Sequence, residues 1–157
     1  MTSAEPLASK TDPAFKILIV DDNRDFVEFV NFLLSHHGFA VCCAFNGPDA
    51  LETVREQAVD LVILDVMMPK MDGLTVCREL KQLRPALPVI LVTAKDDLAT
   101  RAAAMALGVS EFLAKPLNID DFLVRVRTQL RATQWEKNLD DILATKTPGL
   151  AEPVKPA

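Results

Sequence analysis

Short apolar runs alternate along this chain with longer amphipathic stretches. Mostly apolar runs of four to seven residues, three of them rich in Ile, Leu and Val, recur five times. Continuous runs of this length are typical of strands that are buried on both faces of a parallel sheet. The five predicted strands are Lys16–Val20, Phe39–Phe45, Asp60–Leu64, Pro88–Val92 and Glu111–Ala114.

Each apolar run is followed by a stretch with helical periodicity and recognisable end signals. Gly38 and Gly108 stop two of these stretches, Pro48 opens another, and Asn118 is a good cap for the last. Five strand–helix repeats with right-handed crossovers predict an α/β fold, a doubly wound, flavodoxin-like (βα)5 sandwich around a five-stranded parallel sheet. The predicted helices are Asp25–His37, Pro48–Gln57, Asp72–Arg84, Asp96–Leu107 and Asn118–Leu130.

The repeats fit a single domain, which we place at residues 15–132. Residues 1–14 are expected to form a flexible tail. In residues 133–157 the apolar pattern loosens, which predicts a helical extension followed by a disordered tail from Thr147.

Composition excludes several classes of protein. Half of the 157 residues are hydrophobic and 25% are charged, as in ordinary globular domains. The net charge of −5 argues against direct binding of nucleic acid, and no apolar run approaches the ~20 residues needed for membrane insertion. Three cysteines without metal-binding spacing and the lack of a secretory signal favour a cytoplasmic location.

Polar residues follow the predicted strands where their carboxyl ends meet. Asp21 and Asp22 follow the first strand, Asp65 the third, Thr93 the fourth and Lys115 the fifth. Ligands of open α/β sheets bind at this edge. Three converging carboxylates would repel one another unless a cation neutralised them, and Mg²⁺ prefers such oxygen ligands together with water and phosphate.

The same residues are suited to phosphoryl transfer. A carboxylate can act as the nucleophile and form an acyl phosphate. The charge on the transferring group would be stabilised by the metal, by the ammonium of Lys115 and by the hydroxyl of Thr93. The set is chemically complete for moving a phosphoryl group onto Asp65.

Four segments around these residues resemble the receiver domain of two-component response regulators, the CheY-like family. Each segment alone is a weak signal, but four in the right order and at the right separations are specific. The resemblance covers roughly Phe15 to Arg131. The segments are Ile19-Val-Asp-Asp-Asn23, Asp65-Val-Met-Met-Pro-Lys-Met-Asp-Gly73, Val92-Thr-Ala94 and Phe112-Leu-Ala-Lys-Pro116.

The resemblance implies a phosphoacceptor and a metal site. Asp65 would accept a phosphoryl group from a sensor histidine kinase or a histidine phosphotransfer protein. Asp22 would bind Mg²⁺ or Mn²⁺ directly, Asp21 would act mainly through water, and the backbone carbonyl of Met67 would be a further ligand. Such a domain is a switch rather than an enzyme, because its own catalysis is limited to assisting phosphorylation and slow dephosphorylation.

The resemblance also implies a switching mechanism. Thr93 would move toward the phosphoryl group, Lys115 would pair with it, and the bond between Lys115 and Pro116 would be cis. Phe112 occupies the position of the aromatic switch; since it has no hydroxyl to offer a partner, its inward state is expected to depend more on packing alone. The surface of helix 4, strand 5 and helix 5 would then bind a downstream protein target, and a dimer that forms on phosphorylation is left open.

Two hypotheses concern residues around this site. Met67 and Lys95 each lie two positions after a site residue, and we expect their long side chains to limit the access of water to the acyl phosphate. Phe32 lies off the apolar face of the first helix, and we expect it to contact the phosphodonor protein.

Other functions fit the residues less well. An aspartyl-phosphate hydrolase would need a carboxylate where Met67 stands, and a flavin or nucleotide carrier would need a phosphate-binding loop instead of Asp21-Asp-Asn23. Three alternatives stay open: a stand-alone receiver, a receiver cut from a larger regulator with an output domain, and a scaffold that is not phosphorylated.

Overall fold

The computed structural model describes residues 15–154, with side chains for residues 15–135, 138–140, 142 and 143. Strands and helices alternate five times. All predicted element boundaries agree with the structure within two residues, except the end of the last helix. The elements are β1 (Lys16–Val20), α1 (Arg24–His36), β2 (Ala40–Ala44), α2 (Gly47–Glu56), β3 (Leu61–Leu64), α3 (Gly73–Leu83), β4 (Val89–Thr93), α4 (Leu98–Ala106), β5 (Glu111–Ala114) and α5 (Ile119–Val154).

The five strands form one sheet in the order β2-β1-β3-β4-β5, and every neighbouring pair is parallel. This confirms the predicted doubly wound α/β fold. Val20 at the end of β1 is in register with Leu64 at the end of β3, and Thr93 is in register with Ala114. Leu64 is in register with Leu91, so β4 and β5 extend two residues beyond the ends of β1 and β3 at the same edge of the sheet.

The core has two halves, one on each face of the sheet. Along β1, Ile17 and Ile19 face α1 and α5, whereas Leu18 and Val20 face α2, α3 and α4. Alternate residues of a strand point to opposite faces, so a central strand needs apolar residues at every position. This explains the uninterrupted apolar runs.

The loops that carry the site residues are held by helix caps. The side chains of Asn23 and Asp72 accept hydrogen bonds from backbone N–H groups at the starts of α1 and α3, and Asp97 does the same for α4. Each cap satisfies a donor that has no partner within its helix. The caps therefore fix where α1, α3 and α4 begin after the loops that carry the site residues.

Helix α5 is longer than the sequence predicts. It continues through Thr147, where a disordered tail was expected, to Val154. Among the described side chains, Leu130 is the last buried one, so those described beyond it lie outside the core. A helix that is already nucleated adds one hydrogen bond per residue without tertiary contacts. The predicted limits of the domain stay predictions, and residues 1–14 and 155–157 lie outside the described part.

Within residues 15–154, no helix is both long and apolar enough to cross a membrane.

Candidate functional site

Parallel register brings the site residues together at the carboxyl edge of the sheet. Asp21 and Asp65 directly follow the paired residues Val20 and Leu64, and the N–H of Asp65 donates to the carbonyl of Val20 at 3.0 Å. On the other side, the N–H of Lys115 donates to the carbonyl of Thr93 at 2.9 Å. The sheet thus places an acidic pair beside a cation and a hydroxyl.

Three carboxylates form a compact cluster. Asp21, Asp22 and Asp65 each offer an oxygen atom, and these atoms all lie within 4.8 Å of one another. Asp21 is only 1% exposed and Asp65 is also buried, whereas Asp22 is exposed. Burial raises the pKa of Asp21 above its ordinary value of 3.8, and the hydrogen bonds from Lys115 and from the Asn23 amide offset this only in part.

Lys115 is the cation that contacts this cluster. Its Nζ lies 2.8 Å from Oδ2 of Asp21 and 3.5 Å from Oδ2 of Asp65, and its side chain is 19% exposed. One ammonium against three carboxylates leaves two negative charges to be balanced. An exposed carboxylate beside two buried ones, all with oxygen donors, fits a hard divalent cation such as Mg²⁺.

The loop after Asp65 is packed tightly against the start of α3. The N–H of Met67 donates to Oδ1 of Asp65 at 3.1 Å, and the N–H of Gly73 donates to the carbonyl of Val66 at 2.8 Å. A Cβ atom on Gly73 would overlap the carbonyl oxygen of Asp65 and lie 2.7 Å from Cα of Val66. Glycine is therefore required where α3 approaches the loop that follows β3.

Thr93 and Phe112 occupy interior positions on β4 and β5. Thr93 is fully buried, and its Oγ1 accepts a hydrogen bond from the N–H of Lys95 at 3.1 Å. The Phe112 side chain points inward and is 8% exposed. The guanidinium carbon of Arg101 lies 4.5 Å from the centroid of its ring. The packing of this inward side chain is therefore accompanied by a cation–π contact that the sequence did not predict.

The family model for the response regulator receiver domain matches residues 17–127. The chain belongs to this family. The response regulator MprA of Mycobacterium avium (strain 104) is 36% identical over 139 residues, which are 88% of this chain and 61% of that protein. MprA of Mycobacterium ulcerans (strain Agy99) is 40% identical over 121 residues, 77% of this chain and 52% of that protein. The chain thus spans between half and two thirds of the length of these curated relatives.

The fold of this chain is also similar to that of a solved receiver domain. A CheY-like response regulator receiver domain protein from Methanospirillum hungatei JF-1 matches with a TM-score of 0.76 at 25% identity. The match covers 78% of this chain and 98% of that one. Residues 17–127 are therefore a receiver domain of two-component signalling with a CheY-like fold.

Within the receiver domain, the structure brings four of the predicted site residues into one cluster: Asp21, Asp22, Asp65 and Lys115. The bond between Lys115 and Pro116 is cis, as the resemblance implied. The functions assigned to these residues stay predictions.

Of the other predicted residues, Met67 and Lys95 lie in the loops after β3 and β4, and Phe32 lies on α1. The Met67 side chain is 54% exposed, and Nζ of Lys95 lies 3.1 Å from Oδ2 of Asp97. Phe32 is 72% exposed on α1 and stacks on His36, with 6.1 Å between ring centroids. Their effects on water access and docking stay predictions.

Three residues of this receiver domain make contacts that the sequence does not predict. Phe26 contacts the ammonium of Lys115, Arg101 covers Phe112, and Gly73 permits the close approach of α3. The sequence around Gly73 indicates only the start of a helix, and nothing in the local pattern around Phe26 and Arg101 indicates a contact across the fold.

Proposed function

We propose that this receiver domain is a phosphorylation-dependent switch in which Asp65 accepts a phosphoryl group from a phosphohistidine. The donor would be a sensor histidine kinase or a histidine phosphotransfer protein. The observation that carries this proposal is the ammonium of Lys115, which lies 3.5 Å from Oδ2 of Asp65 beside a carboxylate cluster with excess negative charge.

The metal site of the proposed reaction uses residues of two loops, the one after β1 and the one after β3. Asp21, Asp22, Asp65 and the backbone carbonyl of Met67 would hold Mg²⁺ or Mn²⁺. When bound, the ion would supply positive charge to the oxygens of the transferring phosphoryl group. Without the ion, the negative field of the cluster would oppose the approach of any phosphoryl donor.

The proposed transfer is a substitution at phosphorus. A carboxylate oxygen of Asp65 forms a bond to phosphorus while the bond from phosphorus to the histidine nitrogen breaks, and the imidazole leaves with its electron pair and takes up a proton. Lys115 would stabilise the charge on the equatorial oxygens. Later attack by water on phosphorus would release phosphate and restore the carboxylate.

The switch would reach a partner through α4, β5 and α5. Thr93 would donate its hydroxyl hydrogen to the acyl phosphate, and Phe112 and α4 would shift with it. The side chains of Leu98 and Met105 on α4 are exposed and apolar, which suits this surface for a downstream protein target or for a dimer formed on phosphorylation. The domain would not be an enzyme beyond assisting its own phosphorylation and slow dephosphorylation.

Phosphorylation by acetyl phosphate and Mg²⁺ tests the proposal. Intact mass should increase by one phosphoryl group in the wild type and in Asp140→Asn, an exposed control position on α5. Asp65→Asn should stay unmodified, because an amide is a poor nucleophile. An unmodified wild type, or equal modification of Asp65→Asn, would contradict the assignment of Asp65.

The exposed aromatic side chain of Phe32 supports a docking role on α1. Exposed aromatic residues often contribute a large share of binding energy at protein interfaces. Phe32→Ala should slow transfer from the cognate phosphohistidine protein while leaving the rate with acetyl phosphate unchanged. Equal slowing with both donors would refute docking.

A further inference from the structure

The ammonium of Lys115 contacts both carboxylates and an aromatic ring. It lies close to Asp21 and Asp65, and its Nζ lies over the Phe26 ring, 4.1 Å from the centroid. An ammonium at this distance from a ring face is attracted by the quadrupole of the ring. The apolar ring also takes up space in which water would otherwise solvate the charge.

The position of Phe26 is set by a closed chain of contacts that returns to Lys115. The N–H of Asn23 donates to Oδ1 of Asp21 at 2.9 Å, and the N–H of Phe26 donates to Oδ1 of Asn23 at 3.1 Å. Lys115 in turn donates to Oδ2 of Asp21 at 2.8 Å. The same aspartate therefore orients both the start of α1 and the ammonium that the ring of Phe26 faces.

Phe26 is also held by contacts with the hydrophobic core. Its side chain is partly buried and packs against the core half that α1 and α5 share. A ring that is fixed by both backbone and core contacts can restrain a flexible lysine, since four rotatable bonds must be ordered to hold the ammonium in place.

We propose that Phe26 is a positioning residue that holds the ammonium of Lys115 beside Asp65 through a cation–π contact. This inference rests on the proposed function of Asp65. The ammonium lies closer to Asp21, at 2.8 Å, than to Asp65, at 3.5 Å. Without the ring, solvation by water and attraction to Asp21 and Asp22 would spread the ammonium over several positions, and fewer molecules would present it to the phosphoryl group.

Replacement of the ring tests this role. Phe26→Leu keeps an apolar side chain but removes the quadrupole, and should slow phosphorylation by acetyl phosphate roughly three- to tenfold at saturating Mg²⁺. Phe26→Tyr keeps the ring and should remain within twofold of the wild type. Phe29→Leu, an exposed position on the same helix, is the matched control and should leave the rate unchanged.

A double-mutant cycle separates positioning from general destabilisation. In a Lys115→Ala background, Phe26→Leu should have no further effect on the phosphorylation rate, because its effect acts through the ammonium. Slowing of the same size with and without Lys115 would overturn the proposal, as would an unchanged rate in Phe26→Leu itself.

A spectroscopic measurement tests the contact without any phosphoryl transfer. In the wild type and in Phe26→Tyr, the Cε protons of Lys115 should have NMR shifts displaced upfield by the ring current, and Phe26→Leu should abolish this displacement. Absence of the displacement in the wild type would overturn the contact. If the displacement is present but the wild type is not phosphorylated at Asp65, the proposed function fails and not the geometry.

Discussion

The guanidinium of Arg101 connects the ring of Phe112 to the loop before α4. Its central carbon lies 4.5 Å from the ring centroid, and one of its amino groups lies 2.6 Å from Oδ1 of Asp96. Phe112 belongs to β5, whereas Arg101 and Asp96 belong to α4 and its preceding loop. One side chain therefore contacts both the Phe112 ring and the loop before α4, and we expect it to couple movement of α4 to release of the ring.

Removal of this contact should destabilise the inward state of Phe112. We expect Arg101→Gln to lower the free energy of unfolding by about 0.5–1 kcal/mol, the usual contribution of an exposed cation–π contact. Urea denaturation measures the change, and aromatic NMR relaxation should report increased motion of the Phe112 ring. Arg78→Gln, an exposed position on α3, should change stability by less than about 0.5 kcal/mol. Equal effects of the two substitutions would contradict the coupling.

A methyl group at Gly73 should disturb the loop between β3 and α3. Because its Cβ would overlap the carbonyl oxygen of Asp65, Gly73→Ala must displace α3 or the loop. We expect a loss of about 1–3 kcal/mol in the free energy of unfolding, as for other overpacked sites, with slower phosphorylation by acetyl phosphate. Urea denaturation and intact mass measure the two effects. An alanine variant with wild-type stability would show that the loop can move without cost.

Removal of one charge from the acidic cluster should weaken metal binding. Asp22 is the exposed member of the cluster, so Asp22→Asn is least able to disturb the core. We expect the Mg²⁺ affinity, measured by calorimetry, to fall by roughly tenfold or more, since carboxylate charge determines the affinity for hard cations. Asp140→Asn should bind Mg²⁺ as the wild type does. Equal affinity in Asp22→Asn would exclude this carboxylate as a ligand.

The alternation of apolar runs predicted the fold because each feature is local. Uninterrupted apolar runs and the glycines that follow α1 and α4 can be recognised within short stretches of sequence. In the structure, Gly38 and Gly108 have positive φ angles of 90° and 87°. The acidic cluster and Lys115 were also predictable, because parallel topology brings strand ends together whatever the details of packing.

The contacts made by side chains across the fold were not predictable in this way. Phe26 and Lys115 lie far apart in the sequence, and their contact depends on where α1 rests against the sheet. Arg101 in an alanine-rich helix looks like an ordinary exposed cation. Only the packing of α4 beside β5 brings it over Phe112.

The lifetime of the acyl phosphate should depend on Met67 and Lys95. Met67→Asn and Lys95→Glu each introduce a shorter side chain that can accept a hydrogen bond from water. We expect both substitutions to accelerate loss of the phosphoryl group at least twofold, roughly the smallest effect expected from one added hydrogen bond to the attacking water. The measurement is the decay of phosphorylated protein, by intact mass, after acetyl phosphate is removed. Rates within twofold of the wild type would contradict a role for either residue.

Asp97 should make stability depend on pH in the acid range. Its carboxylate accepts a hydrogen bond from the N–H of Thr100 at 2.7 Å and pairs with Lys95. The hydrogen bonds with Thr100 have the largest effect. Together with the contacts of Lys95, they lower the pKa of Asp97 from its ordinary 3.8 to about 2. The folded state therefore favours the ionised form, and its contribution to stability is present above the unfolded-state pKa.

Asp97→Asn isolates this contribution, because asparagine keeps the capping oxygen but has no charge. The wild type should be the more stable of the two at neutral pH, and the difference should shrink as the pH falls from about 4 to about 2 and Asp97 becomes protonated in both states. Urea denaturation at a series of pH values measures it, with Asp140→Asn as the control for loss of an exposed carboxylate. A difference that stays constant over this range would mean that the cap acts through geometry and not through its charge.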